Sequence, residues 1–111
     1  SGDDPTALMA LNAGADGVIS VAANVVPRQF ARLLALAGAG ETDAARSLDE
    51  SLQTLYAVLG CEPNPIPVKA ALARLGMIGG HLRLPLTSID PTWLPTLDQT
   101  LAALQEPRPG I

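Results

Sequence analysis

Apolar residues recur at helical spacing in several separate stretches of the chain, and one stretch stands out. Its apolar side chains follow the order i, i+4, i+7, i+8 and i+11, opposite a polar face. The stripe consists of Leu48, Leu52, Leu55, Tyr56 and Leu59. It predicts an amphipathic helix that begins near Thr42 and stops at Gly60, because glycine commonly follows the last turn of a helix.

Four further helices are predicted from shorter stripes combined with start and stop signals. They cover residues 6–13, 24–37, 64–75 and 90–104. The predicted N-caps are Asp4, Asn24, Asn64 and Asp90. Pro5, Pro65, Pro67 and Pro91 fall in first turns, where the missing N–H costs no intrahelical bond. Helices therefore account for most of the chain.

One stretch, residues 17–21 with the sequence GVISV, is typical of a strand buried on both faces. The backbone groups of such a strand need partners, yet only Leu82, Leu84 and Leu86 alternate elsewhere, through an extended connector. The chain also opens without methionine on SGDD, a loop of the kind that follows a strand. We therefore expect a fragment of a larger α/β protein with a parallel sheet or barrel.

Composition and charge limit the kinds of binding partner and cofactor that we expect. Seven basic against eleven acidic residues give a net charge of −4 without a basic cluster, which argues against nucleic acid. Cys61 and His81 are single residues of their types, so neither a disulfide nor a Cys/His metal site is predicted. The start lacks a signal-peptide pattern and no long apolar run follows, so we expect no membrane association and a cytoplasmic location.

Lys69 is the one lysine of the chain and lies in the proline-rich stretch CEPNPIPVKAAL. A desolvated lysine amine attacks carbonyl groups, which makes Lys69 a candidate nucleophile. An activated lysine also needs a pocket and a partner base, whereas a helix start needs neither. We therefore interpret Lys69 as a structural residue near the beginning of a helix, with a stem that covers apolar surface.

Four motifs in fixed order resemble the C-terminal portion of the dihydrodipicolinate synthase family. They are SGDD at 1–4, GVISVAANVVPR at 17–28, EPNPIPVKAAL at 62–72 and LRLPLT at 82–87. The resemblance implies an α/β fold, a TIM (β/α)8 barrel followed by a C-terminal helical domain. Residues 1–40 would be the last βα unit, from the end of strand seven through helix seven and strand eight to helix eight. Residues 41–111 would be the helical domain, which leaves this chain mostly α-helical.

The resemblance also implies a class I aldolase, a lyase that holds pyruvate as a Schiff base on a lysine. The family condenses pyruvate with L-aspartate semialdehyde in the diaminopimelate route to lysine, needs no metal or organic cofactor, and commonly forms homotetramers. Its Schiff-base lysine and proton-relay tyrosine lie upstream of the matched motifs. No catalytic residue is therefore expected in this chain, and the chain alone is expected to be inactive.

Two residues are expected to bind substrate on the same resemblance. Gly2 would line the pyruvate pocket, and Ile19 would turn its main-chain carbonyl toward the substrate. A purely structural interpretation is compatible with this, since Gly2 permits a tight turn and Ile19 fills a barrel core. Asp3 and Asp4 are adjacent carboxylates, but Asp4 is better explained as a helix cap, while Asp3 stays open as a loop residue near the pocket rim.

Val21 and Ala22 bear on the choice among related enzymes. The similar sialic-acid lyases have a serine near Val21, so the apolar side chain favours a small aldehyde over a sugar. The synthase pattern usually has threonine where Ala22 stands, which leaves room for a sibling such as N-acetylneuraminate lyase or a 2-keto-3-deoxy sugar acid aldolase. A non-catalytic helical module that packs its leucine stripes on a partner is the other alternative.

Overall fold

The computed structural model describes residues 2–79, 82 and 87–104, and these residues are mostly helical. Five α-helices follow one another along the described part. They are α1 (Ala7–Asn12), α2 (Pro27–Gly38), α3 (Thr42–Leu59), α4 (Ile66–Arg74) and α5 (Leu94–Leu104). Short 3-10 turns at Asp4–Thr6, Ala22–Asn24 and Pro91–Trp93 precede or link them. No helix within the described ranges is long and apolar enough to cross a membrane.

Helix α3 is the central element, and its bounds confirm the prediction from the leucine stripe. It packs against each of the other four α-helices. Leu52 and Leu55 are fully buried, Tyr56 is buried, and Gly60 follows the last turn. Burial of each such side chain stabilises the fold by about 1.5–3 kcal/mol, so the apolar face of α3 contributes much of the driving force for folding.

The core lies between α3 and the faces of its neighbours. Helix α2 contributes Phe30 and Leu33, and α5 contributes Leu97 and Leu101. Ala71 of α4 is fully buried against them. A single apolar cluster therefore holds together elements from both the first and the second half of the chain.

Of two predicted helix caps near prolines, the structure contains one and replaces the other. Asp90 Oδ1 accepts a hydrogen bond from the N–H of Thr92 at 3.0 Å, so the predicted Asp-Pro cap is present, with a 3-10 turn before α5. Helix α4 begins at Ile66 just after a cis peptide bond between Asn64 and Pro65. Its cap position is taken by Pro65, so the prediction that Asn64 caps this helix is wrong.

The start of α2 also differs from the prediction. Asn24 lies in a 3-10 turn, and its side-chain Nδ2 donates to the carbonyl of Val21 at 3.0 Å. Helix α2 begins three residues later, at Pro27. The proline decides this, because its fixed φ suits a first helical position and disfavours helical geometry in the residue before it.

The predicted strand at residues 17–21 is not formed in this structure. Residues 15–20 carry no regular secondary structure, and Val21 already has helical dihedral angles of φ −71° and ψ −44°. None of the residues 2–79, 82 and 87–104 forms a strand, so there is no ladder for this segment to join. Ser1, His81, Leu84, Leu86 and the tail from residue 105 lie outside the described residues.

Candidate functional site

Two segments that are distant in sequence line one open pocket with a volume of about 570 Å³. We refer to the lining of this pocket as the concave surface. One segment contributes Gly2, and the other contributes Gly17, Val18 and Ile19. Both residues predicted to bind substrate, Gly2 and Ile19, are therefore on the same concave surface. Their roles toward a substrate stay predictions.

Gly2 has open space where a side chain would be. A Cβ added at this position would meet no heavy atom within 4 Å, and Gly2 is not among the glycines with positive φ. The interpretation of Gly2 as a residue required by a tight turn therefore has no support from its backbone conformation or its neighbours. Its lack of a side chain keeps this edge of the concave surface open.

The side chain of Ile19 is 87% exposed. An isoleucine that filled a core within this chain would be buried, so the core interpretation does not hold for the chain by itself. Val18, next to it, is half-buried and packs against the apolar cluster. Ile19 therefore points its apolar side chain toward solvent, while Val18 packs against the core.

Asp4 does not cap its helix as predicted. Neither the 3-10 turn at Asp4–Thr6 nor α1 has a side-chain cap. Instead, Asp4 Oδ2 accepts a hydrogen bond from the backbone N–H of Ala22 at 2.9 Å. The local Asp-Pro motif predicts a helix cap. The hydrogen-bond partner of the Asp4 carboxylate is instead eighteen residues away in the sequence. Asp4 therefore links the two segments that line the concave surface.

Asp3 and Asp4 have separate partners. The hydroxyl of Thr6 donates to Asp3 Oδ2 at 2.6 Å, within one exposed turn. Because each carboxylate is engaged on its own, the observed hydrogen bonds do not support acid–base work by a coupled pair.

Ala22, the position at which the family resemblance leads us to expect threonine, is fully buried. Its backbone donates to Asp4, and its methyl group faces the apolar cluster. The backbone of the next residue is also hydrogen-bonded, because the N–H of Ala23 donates to Ser20 Oγ at 3.0 Å. Two side-chain acceptors, from Asp4 and Ser20, therefore hold the backbone at the end of the 17–22 segment.

A polar cluster on α3 lies next to the Asp4–Thr6 turn. Gln53 Nε2 donates to Asp49 Oδ2 at 3.3 Å and to the carbonyl of Pro5 at 3.4 Å. Tyr56, only 4% exposed, has a buried hydroxyl without a hydrogen-bond partner among the described residues. Burial raises the pKa of Tyr56, and the charges of Asp49 and Asp4 raise it further. Burial also raises the pKa of Asp49.

Sequence reasoning assigned Tyr56 to packing alone and missed this cluster. The packing assignment is correct for the ring, which is buried in the core. The signal for the cluster is the i, i+4, i+7 spacing of Asp49, Gln53 and Tyr56, which places three polar groups along one side of α3.

Lys69 lies in the first half of α4 and is half-buried. Its backbone N–H donates to the carbonyl of Pro65 at 3.0 Å, as expected near a helix start. It is not among the residues found to line the concave surface. Within the described part of the chain, no group of three or more His, Cys, Asp and Glu side chains is arranged to hold a metal ion.

The sequence profile of the dihydrodipicolinate synthetase family matches residues 1–104. A similar protein from Methylibium petroleiphilum, named 4-hydroxy-tetrahydrodipicolinate synthase, is 48% identical over 101 residues. That match covers 91% of this chain and 34% of the relative. The chain therefore spans about a third of the length of the curated relatives it matches.

Solved structures agree with this relationship. A dihydrodipicolinate synthase from Thermotoga maritima superposes with a TM-score of 0.90 and 41% identity, covering 92% of this chain and 35% of that protein. A chloride-inhibited dihydrodipicolinate synthase from Acinetobacter baumannii, solved as a complex with pyruvate, gives a TM-score of 0.89 and 40% identity over 94% of this chain and 36% of that one. The chain belongs to the dihydrodipicolinate synthetase family.

Proposed function

We propose that this chain is the C-terminal portion of a 4-hydroxy-tetrahydrodipicolinate synthase, a lyase that condenses pyruvate with L-aspartate semialdehyde in lysine biosynthesis. The observation that carries the proposal is the 48% identity to a relative of that name over 101 residues. The motif order along the chain supports the same assignment. The Schiff-base lysine and the proton-relay tyrosine would come from a part of the protein outside this sequence.

Residues 1–40 would complete a TIM barrel, and residues 41–111 would form the helical domain behind it. The exposure of Ile19 supports the assignment of residues 17–21 to the barrel, because an exposed apolar side chain in a segment without regular secondary structure suits a strand that is covered by others. In the whole protein, residues 17–21 would then form strand eight. Neighbouring strands of the barrel would then cover the Ile19 side chain.

Within that barrel, Gly2 and Ile19 would contact pyruvate at the C-terminal end of the strands, where the active sites of such barrels lie. The shared concave surface supports this, since both residues line it. Gly2 would let the substrate approach the backbone closely, and Ile19 would offer its main-chain carbonyl as a hydrogen-bond acceptor. Val21 would leave the site without a hydroxyl for a sugar, which favours a small aldehyde.

The proposal is tested with a chimera in which this sequence replaces the matching third of the Methylibium petroleiphilum relative. We expect the purified chimera to consume pyruvate and aspartate semialdehyde. A truncated relative without the segment is the negative control, and the unaltered relative is the positive control. Turnover of N-acetylneuraminate or a 2-keto-3-deoxy sugar acid in place of the semialdehyde would reassign the chain to a sibling aldolase.

A second experiment locates the nucleophile. The chimera and the 111-residue chain are each incubated with pyruvate and borohydride, which reduces a Schiff base to a stable amine, and each adduct is mapped by mass spectrometry. We expect an adduct in the chimera on a lysine outside this sequence and none on Lys69. A stoichiometric adduct on Lys69 in the isolated chain would overturn the proposal.

Three further properties of the whole protein follow from the same proposal. It would act in the cytoplasm, need no metal or organic cofactor, and assemble as a homotetramer. Light scattering of the chimera measures the assembly state directly, and activity after exhaustive treatment with a chelator tests the independence from metal. A strict requirement for an added metal ion would contradict this part of the proposal.

A further inference from the structure

Asp4 joins the chain segment of Gly2 to the chain segment of Ile19 by a hydrogen bond. It follows Gly2 by two residues, and its Oδ2 accepts the N–H of Ala22, which follows Ile19 by three residues. This hydrogen bond, 2.9 Å long and partly buried, connects the two segments directly. A charged acceptor in a partly buried position makes a stronger hydrogen bond than a neutral one in water.

Helix α3 supports this carboxylate from the other side. The Asp4–Thr6 turn packs on α3, where Gln53 donates to the carbonyl of Pro5. Asp4 Oδ1 is buried without a hydrogen-bond partner among the described residues, and so is the hydroxyl of Tyr56. Burial raises the pKa of Tyr56, and the charges of Asp49 and then Asp4 raise it further. The turn that begins at Asp4 therefore contacts both Ala22 and the central helix.

We propose that Asp4 is a positioning residue, which fixes Gly2 and Ile19 relative to each other by holding the N–H of Ala22. The proposal rests on the proposed function, because it treats the concave surface as part of the pyruvate site. Asp4 does not need to touch the substrate. Its effect is geometric, since small displacements of groups that orient a substrate weaken both binding and rate.

Two substitutions separate the hydrogen bond from the charge. Asp4→Asn keeps a carbonyl oxygen that accepts the N–H of Ala22, whereas Asp4→Ala removes the acceptor. In the chimera we expect Asp4→Ala to raise KM for pyruvate about tenfold, the usual scale for loss of one hydrogen bond, with a smaller change in kcat. Asp4→Asn should restore KM to within about threefold of the unsubstituted chimera.

Asp43→Ala is the matched control, because Asp43 is an exposed carboxylate in the first turn of α3. It should leave KM for pyruvate unchanged. An unchanged KM in Asp4→Ala would overturn the proposal. An equal rise in Asp4→Asn and Asp4→Ala would also overturn it, because the charge and not the hydrogen bond would then be the determinant.

Amide hydrogen exchange of Ala22 in the 111-residue chain tests the geometry without any activity. We expect exchange at Ala22 to be at least about tenfold faster in Asp4→Ala than in Asp4→Asn, because only the latter retains an acceptor. Equal exchange rates would overturn the positioning role. An inactive unsubstituted chimera would instead count against the proposed function, so the two failures are distinguishable.

Discussion

Arg74 at the end of α4 and Asp98 in α5 form a two-point ion pair. Arg74 Nε donates to Asp98 Oδ1 at 2.8 Å, and Arg74 Nη2 donates to Asp98 Oδ2. Both side chains are about half exposed, 45% and 44%, so solvent screens the pair. The pairing lowers the pKa of Asp98 and raises that of Arg74.

The ion pair predicts how stability depends on pH. Because the pKa of Asp98 is lower in the folded chain than the usual value of about 3.9, the pair stabilises the fold above that value and the contribution is lost as pH falls through the folded pKa. Asp98→Asn should therefore lower Tm slightly at pH 6. The difference should shrink as pH falls below the usual value of about 3.9.

Thermal unfolding followed by circular dichroism measures this effect for both proteins across the pH range. Asp43→Asn is a matched control, since Asp43 is also exposed on a helix but has no ion pair with an arginine among the described contacts. A Tm difference for Asp98→Asn that persists unchanged at pH 2 would contradict the assignment.

Leu52 of α3 is fully buried against the core, whereas Leu48, one turn earlier on the same stripe, is half-buried. Leu52→Ala should lower the free energy of unfolding by about 2–5 kcal/mol, because it removes apolar contacts and leaves a cavity. Leu48→Ala should cost less than half as much. Urea unfolding of the two variants compares them directly, and equal losses would place the centre of the core elsewhere.

Tyr56 carries a buried hydroxyl without a hydrogen-bond partner among the described residues. An unsatisfied buried hydroxyl costs about 1–3 kcal/mol, so Tyr56→Phe should unfold at the same urea concentration as the parent chain or at a higher one. A loss of more than about 1 kcal/mol would mean that the hydroxyl has a partner in solution.

The same residue predicts the behaviour at alkaline pH. Because the pKa of Tyr56 is raised in the folded chain, folding favours the neutral hydroxyl, and stability falls as pH rises above the usual value of about 10. Tyr56→Phe should remove part of this fall. The measurement is Tm between pH 8 and 11, and parallel curves for the two proteins would contradict the prediction.

Gly76 ends α4 with φ of +74°, in the left-handed region that favours glycine. Gly76→Ala should lower the free energy of unfolding by about 1–2 kcal/mol, although the added methyl group has open space around it. Gly2→Ala is the matched control, because its backbone lies outside that region and its surroundings are also open. Its stability should stay within about 0.5 kcal/mol of the parent in urea unfolding.

Much of the fold could be predicted because helix signals are local. The stripe of α3, the stop at Gly76 and the cap of Asp90 each depend on residues within a few positions of one another, and the structure agrees with all three. The misassigned caps, Asn24 and Asn64, are also informative. In each case a nearby proline set the helix start and overrode the preference of asparagine for a cap position.

The candidate site could be predicted only in part. Motif resemblance pointed to Gly2 and Ile19, and both line the same concave surface. The role of Asp4 could not be read from its Asp-Pro motif, because its hydrogen-bond partner is eighteen residues away. Whether residues 17–21 form a strand also could not be predicted from their own sequence, since a strand forms only when another strand supplies its hydrogen bonds.

The sequence by itself therefore determined the periodicity of the helices, where most of them end, and the family to which the chain belongs. Only the tertiary structure decided which residues meet across the chain: Asp4 with Ala22, Gln53 with Pro5, and Arg74 with Asp98. The reason is physical. Helical spacing and turns arise from forces between near neighbours, whereas these contacts form only after burial of the apolar faces of α2, α3 and α5 has brought distant segments together.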